Sequence, residues 1–261
     1  MARIVFVTVG TSAITNRELW EKNGTLPATL DPAGNWGKVI GDDEKAAVEE
    51  KTRNNKRIKW EDIEAHVRAI HADFEKALTD HHRKFWETSP HHKREHPRRT
   101  SAEAMSTWLA GAAASMDGGP LKAGEDQVVL LVSRTCVGQM AGRINGALFR
   151  EFLFVGDGER SVSTKVIGDL QFEGIVDDGC EGMSLSSQVR KIYADHTTNN
   201  GRTPLVNITG GFKGVIPAIS VICADAGTTM LYLHDSMKGV VRLRFANGKG
   251  DEDFAQFHAE L

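Results

Sequence analysis

The chain has 261 residues, 40% of them apolar and 26% charged, with a formal net charge of −3. That length and apolar share support a real core in one large domain or two smaller ones. The slight acidity excludes affinity for bulk nucleic acid, DNA included, or for acidic membrane, so any basic site has to be local.

Reading from the N-terminus, "MARIVFVTVGTS" has too short an apolar run, and no cleavage site, for a signal peptide. No apolar window in the sequence approaches membrane-spanning length. Cys136, Cys180 and Cys223 are odd in number and far apart, which predicts reduced thiols in a cytoplasmic protein. "RIVFVTV" (3–9) is β-branched and apolar almost throughout, predicting a strand buried on both faces. It stops at Gly10-Thr11-Ser12. Residues 23–41, "NGTLPATLDPAGNWGKVIG", are rich in turn formers and predict a loop or lid. In "WEDIEAHVRAIHADFEKAL", Trp60, Ile63, Val67, Ile70, Phe74 and Leu78 recur at three- and four-residue steps, predicting one amphipathic helix. "DHHRKFWETSPHHKREHPRR" follows, with five histidines and six Lys or Arg. Thr100 and Glu103 then have capping-box spacing, so a helix is predicted to begin near residue 101.

Past residue 126 the pattern turns regular. "QVVLLVS", "STKVIGDL", "TPLVNI" and "TTMLYLHD" predict strands, separated by the predicted helices "GQMAGRINGALFREFL", "SLSSQVRKIYADH" and "VIPAISVICADAG". "MLYLHD" and "VVRLRF", joined by "SMKG", predict an antiparallel hairpin. Strands alternating with helices of ten to fifteen residues mean βαβ units. The predicted fold is α/β: a Rossmann-like parallel sheet with helices on both faces and a C-terminal antiparallel hairpin. It forms a single domain over residues 1–261, with a helical, basic insertion after the first strand at about residues 40–120.

Open α/β sheets take ligands at the carboxyl ends of their strands, where the strand order reverses. Three motifs fall at such ends. One is Gly10-Thr11-Ser12, with Thr15 and Asn16 just beyond. Another is Ser133-Arg134-Thr135, followed by Gly138 and Gln139. The third is "NITGGFKG", containing Thr209, Gly210, Gly211, Phe212 and Lys213. Glycine lets a ligand approach the backbone, and lysine adds a mobile positive charge. Hydroxyls, amides, one Arg and one Lys on one edge make a polar, cationic floor almost free of carboxylates, suited to phosphate. The bland reading is that each glycine serves only a tight turn. No GxGxxG follows the first strand and no GxxxxGK[ST] occurs anywhere, which disfavours dinucleotide oxidoreductases and P-loop NTPases.

The stretches "VTVGTSAITN", "VVLLVSRTCVG" and "VNITGGFKGVIPAISVICADAGTTMLYLHD" resemble the CRISPR-associated Rossmann fold (CARF) family. The likeness is to the branch holding the stand-alone CRISPR ring nucleases and the CARF domains of type III ancillary ribonucleases. It spans residues 1–20 and about 126–235. The resemblance implies a homodimer with a shared pocket on its two-fold axis, binding a cyclic oligoadenylate, most commonly the tetra-adenylate. It implies that Ser12 and Lys213 occupy the positions of the ring-opening residues, and that no metal or other cofactor is required. The family often has an acidic residue where this chain has Arg134, so Arg134 either grips a phosphate or forms a salt bridge facing away from it.

In that reading RNA supplies its own nucleophile, the ribose 2′-OH, and the protein needs only to align it and stabilise the growing charge. Lys213 would neutralise the non-bridging oxygens. Ser12 and Thr11 would fix the geometry, and the Gly210 and Gly211 amides would cradle another phosphate. If Lys213 only binds charge, the ligand is sensed and not cut, and the chain is a sensor serving a separate effector. A third reading is a general nucleotide-binding α/β protein. Arg190 and His196 match the spacing of an effector ribonuclease, yet they fall on a predicted crossover helix, and the about 25 residues after "TTMLYLHD" are too few for another domain. Among His81, His82, His91, His92 and His96, the pair His92 and His96 has helical i, i+4 spacing, but Pro97 follows directly and no HExxH or CxxC partner exists, which disfavours a metal. They read as a solvated charged face or as part of a lid in which Trp20, Trp36, Phe85 or Trp86 stacks on adenines. The apolar residues of the Trp60–Leu78 helix suit either a dimer contact or core packing.

Overall fold

The computed structural model describes residues 2–15, 35–54, 58–112, 119–168, 175–176, 184–198, 200–210, 215–233, 240–243 and 257–259. In chain order the strands are β1 (Arg3–Val9), β2 (Ile58–Lys59), β3 (Leu121–Lys122), β4 (Gln127–Ser133), β5 (Phe154–Val155) and β6 (Val162–Ile167). They continue with β7 (Ile175–Val176), β8 (Thr203–Asn207), β9 (Thr229–Leu233), β10 (Val240–Leu243) and β11 (Phe257–Ala259). The helices are α1 (Ser12–Thr15), α2 (Trp36–Arg53), α3 (Trp60–Ile70), α4 (Ala72–Trp86), α5 (Pro90–Glu95), α6 (Ala102–Ala112), α7 (Cys136–Leu148), α8 (Leu185–Thr197) and α9 (Val215–Ala226).

Every residue of β1 is buried, because β1 is interior to a seven-stranded sheet of order β11-β10-β9-β8-β1-β4-β6. β1, β4, β6, β8 and β9 run parallel, as two-face burial of their apolar runs requires. β10 returns antiparallel to β9, and β11 antiparallel to β10. The α/β architecture and the C-terminal hairpin read from the sequence are therefore present. Val9 pairs with Val132, and Val7 with Asn207, so β1, β4 and β8 end along one edge. The chain steps from β1 to β4 to β6 on one side, then crosses to β8 and β9 on the other. The strand order reverses between β1 and β8.

Successive strand residues point to opposite faces and build two cores. Val5, Val7, Val9, Val128, Leu130 and Val132 pack under α7 and the insertion helices. Ile4, Phe6, Val129, Leu131 and Val206 pack under α8 and α9. At the opposite end of β1, the buried Arg3 guanidinium meets Asp126 at 2.5 Å and donates to the Gly119 and Pro120 carbonyls at 2.6 and 2.8 Å. Asp126 also accepts the Arg3 and Lys122 amides, each at 2.8 Å.

The insertion is helical as expected, but its parts differ from the sequence reading. Gly37 and Gly41 lie inside α2, which Asn35 caps by accepting the Lys38 amide at 3.2 Å, so the predicted loop ends by residue 35. The single helix expected across Trp60–Leu78 is two, α3 and α4, interrupted at His71. His71 Nε2 bonds Asp43 of α2 at 2.8 Å, which fixes the break. Trp60, Ile63, Val67, Phe74 and Leu78 are buried in the main core, so packing accounts for that stripe, leaving only Ile70 exposed among its six apolar positions. The expected stacking aromatics are also core. Trp36 stacks on Phe74 at 4.2 Å between ring centroids, and Phe85 and Trp86 are buried. Trp20 lies outside the described residues.

The histidine tract is not one solvated face. His91 is exposed beside Glu95, whereas His82 is 0% exposed. Its Nε2–H donates to the Ala13 carbonyl at 2.8 Å, and its Nδ1 lies 3.1 Å from Thr100 Oγ1, which accepts the Trp86 indole N–H at 2.9 Å. Cys136 and Cys223 are free, buried thiols. Burial pushes Cys223 up to about 12 and Cys136 further still. Cys180 lies outside the described residues. Arg190, exposed on α8, pairs with Asp225 of α9, and His196 bonds its own helix at the Ile192 carbonyl. Among the described residues, no helix is long and apolar enough to cross a membrane.

Candidate functional site

β1 ends at Val9, and the chain turns through Gly10 and Thr11 into the single turn of α1. Thr11 and Thr15 are exposed. The Thr11 carbonyl accepts the Ile14 and Thr15 amides and, at 3.0 Å, the Thr15 hydroxyl, so Thr15 is turned back onto its own helix. Across the reversal, β8 ends in Asn207, followed by Ile208, Thr209 and Gly210. The Thr209 hydroxyl accepts the Leu233 amide at 2.9 Å and keeps its own proton. Thr8 on β1 bonds the carbonyls of Asn207 and Gly210, tying the two strand ends together.

A carboxyl group lies between these ends, where the sequence led us to expect almost none. Glu103, in the first turn of α6, is 0% exposed. Its Oε1 accepts the Gly10 amide at 2.7 Å, and its Oε2 accepts the Ser12 hydroxyl. Ser12 Oγ in turn accepts the Ala102 amide at 3.1 Å. Glu103 therefore does not close a capping box with Thr100. The cap is Ser101, whose hydroxyl accepts the Ala104 amide at 3.2 Å, while Thr100 faces His82 and Trp86. Asn207 pins this turn of α6: its Nδ2 lies 3.1 Å from the Glu103 carbonyl, 2.7 Å from Ser106 Oγ and 2.7 Å from Thr107 Oγ1. The fit is close. A Cβ on Gly210 would lie 1.8 Å from Glu103 Oε1, so only glycine leaves room for the carboxyl.

The third motif forms the start of α7. Thr135 is the N-cap and accepts the Gly138 amide at 3.0 Å. Its hydroxyl lies 3.1 Å from that of Ser133. The Arg134 amide donates to Ile167 at the end of β6, at 3.0 Å, and its side chain is half-buried. The Gln139 amide donates to the Thr135 carbonyl at 2.9 Å. Gly138 is buried, and a Cβ there would lie 2.0 Å from Ser133 Oγ, so close packing within the turn explains this glycine. Gly10, Thr11, Ser12, Thr15, Ser133, Arg134, Thr135, Gly138, Gln139, Thr209 and Gly210 thus belong to adjacent strand ends of one sheet edge. Asn16, Gly211, Phe212 and Lys213 lie outside the described residues.

Sequence reasoning missed Glu103, Asn207 and Thr8 as parts of this edge. The signal for Glu103 was its isolation as the one acid in "TSAEAMSTWLAGA", which the capping spacing explained away. A surface depression of about 260 Å³, lined by residues including Arg68, Glu75, Lys76 and Arg83, shares no residue with the edge. Among the described residues, no three His, Cys, Asp or Glu side chains are grouped to hold a metal.

The chain is an α/β protein whose strand order reverses between β1 and β8, with hydroxyls, glycines and backbone amides at that reversal, the place where open α/β sheets have a crevice at their carboxyl edge. More narrowly, residues 98–244 match the family described as CRISPR-associated protein (Cas_APE2256). That is more than half of the chain, and the chain belongs to this family. The match takes in Glu103, the Ser133–Gln139 motif and Thr209–Lys213 but begins after Ser12. No curated protein matches the chain.

Proposed function

We propose that this protein is a ring nuclease of CRISPR antiviral defence, binding a cyclic oligoadenylate, with cyclic tetra-adenylate favoured, and cleaving it to linear oligoadenylates. The observation that carries the proposal is that the end of β1, leading into Ser12, and the end of β8, leading into Thr209 and Gly210, lie side by side at the reversal of strand order, tied by Thr8, in a CRISPR-associated chain. The ligand sits on the two-fold axis of a homodimer, and Lys213 is supplied three residues after Gly210. Ser12 and Thr11 hold the ribose so that its 2′-OH is in line with the phosphorus and the leaving 5′-oxygen. Lys213 neutralises the non-bridging oxygens as charge grows there. The products end in a 2′,3′-cyclic phosphate, and the antiviral signal is switched off.

The test is incubation with labelled cyclic tetra-adenylate in EDTA, beside Lys213→Ala, with the oligomeric state measured in the same buffer. Conversion to linear di-adenylate by the wild type and not by the variant supports the reading. Tight binding with the ring intact refutes catalysis and makes the chain a sensor for a separate effector. Failure to bind refutes both.

A further inference from the structure

The buried carboxyl of Glu103 has no part in the scheme above, yet its surroundings suit it to one. Ser12 Oγ gives its only proton to Glu103 Oε2 and accepts the Ala102 amide. One lone pair and no proton are left for a ligand. A hydroxyl so arranged accepts from a ribose 2′-OH; it cannot donate to a phosphate. On the far side of the carboxyl, Ser101 Oγ stands 2.8 Å from Glu103 Oε2 and 2.5 Å from Asn145 Oδ1, with one proton for two acceptors. Asn145 cannot relieve this by turning over, because its Nδ2 donates to the Ala141 carbonyl at 3.0 Å. A proton arriving on Glu103 resolves it: Glu103 donates to Ser101, and Ser101 donates to Asn145. The ionised state uses the same atoms with Ser101 donating to the carboxylate. Among the described residues, the groups facing the carboxyl are uncharged: the Gly10 amide, Ser12, Ser101 and Gly210.

We infer that Glu103 is a positioning residue and proton acceptor for ring opening, acting through Ser12; this rests on the ring-nuclease reading. In the step, the ribose 2′-oxygen bonds to phosphorus and the bond from phosphorus to the 5′-oxygen breaks. The 2′-OH proton passes to Ser12 Oγ as the Ser12 proton passes to Glu103. The departing 5′-oxygen takes a proton from water, and Glu103 returns its proton to solvent after product release. Gly210 belongs to the same device, since its missing side chain makes the space the carboxyl occupies.

The experiment compares wild type, Glu103→Gln and Ser101→Ala for equilibrium binding and for turnover of labelled cyclic tetra-adenylate. Glu103→Gln is expected to keep binding and KM while kcat falls about 100-fold. Ser101→Ala keeps the carboxyl but removes the hydroxyl that receives its proton, and is expected to lower kcat by a smaller factor, again with KM unchanged. Unchanged kcat in Glu103→Gln, or a loss of binding that accounts for its fall in turnover, overturns the relay while wild-type cleavage leaves the ring-nuclease reading standing. Should Glu103→Gln fail to fold, unchanged kcat in Ser101→Ala overturns the relay instead. A ring left intact by wild type overturns the ring-nuclease reading itself.

Discussion

Acid should loosen this protein through His82. The ring is fully buried, between Thr100 and the Ala13 carbonyl, one residue beyond Ser12. Burial there opposes the charged imidazolium and lowers its pKa from 6.5 to about 4, although the bond to Ala13 and the neighbouring His81 pull in opposite directions. A histidine depressed in the folded state contributes stability that is complete above its unfolded pKa. That contribution is lost as pH falls from 6.5 toward about 4. The whole shift corresponds to about 3 kcal/mol, of which about 2 kcal/mol is lost between pH 7 and pH 5. In a chain of this length that is roughly 4–8 °C of melting temperature. The assay is thermal unfolding of wild type and His82→Gln at both pH values. Glutamine can still donate to Ala13 but cannot titrate, and the difference between the two proteins cancels groups they share. The variant should lose less stability on acidification by about 2 kcal/mol. Equal losses in the two proteins would refute the argument.

Asp126→Asn leaves the buried Arg3 guanidinium without its counter-charge and should cost about 3–5 kcal/mol, measured by urea unfolding. Burial favours protonated Asp126, but Arg3 and the two amides outweigh it and lower its pKa; its contribution is therefore present at neutral pH and lost as pH falls through the depressed value. Gly210→Ala drives a methyl group into Glu103 Oε1 and should destabilise by about 1–3 kcal/mol while lowering affinity for labelled cyclic tetra-adenylate. Stability loss with unchanged affinity would separate this packing from the ligand site. Gly138→Ala should show a similar loss by forcing Ser133 away from the α7 cap.

The regular half of the chain was legible because its signals are local. β1, β4 and β8 are short apolar runs closed by turn formers, and α7 and α8 carry hydroxyl caps at Thr135 and Ser184. That the segments after β1, β4 and β8 share one edge followed from topology alone, since parallel strands of one sheet must end on one edge. What was not legible depends on partners far away in sequence. Glu103 reaches Ser12 across 91 positions, and the spacing that marked it as a helix cap was satisfied by Ser101 instead. The break at His71 depends on Asp43 of α2, which the smooth apolar period of "IEAHVRAIHADF" does not reveal. Burial of His82 and Lys93 within a tract of charges is a tertiary outcome: Lys93 tucks between Trp86 and Trp108 and donates to the Thr88 carbonyl.

The interior place of β1 in the sheet sets a timetable for the chain. It is made before either of its partners, which begin at Gln127 and Thr203. Loops that long must close before pairing is rewarded, so folding should be slow and should wait for β8. Until β8 emerges, one edge of an apolar strand stays open to mispairing with other chains. The Gly10–Ser12 loop can meet Gly210 only after that last pairing, so a nascent or truncated chain that stops short of β8 would carry Ser12 but no completed edge around it.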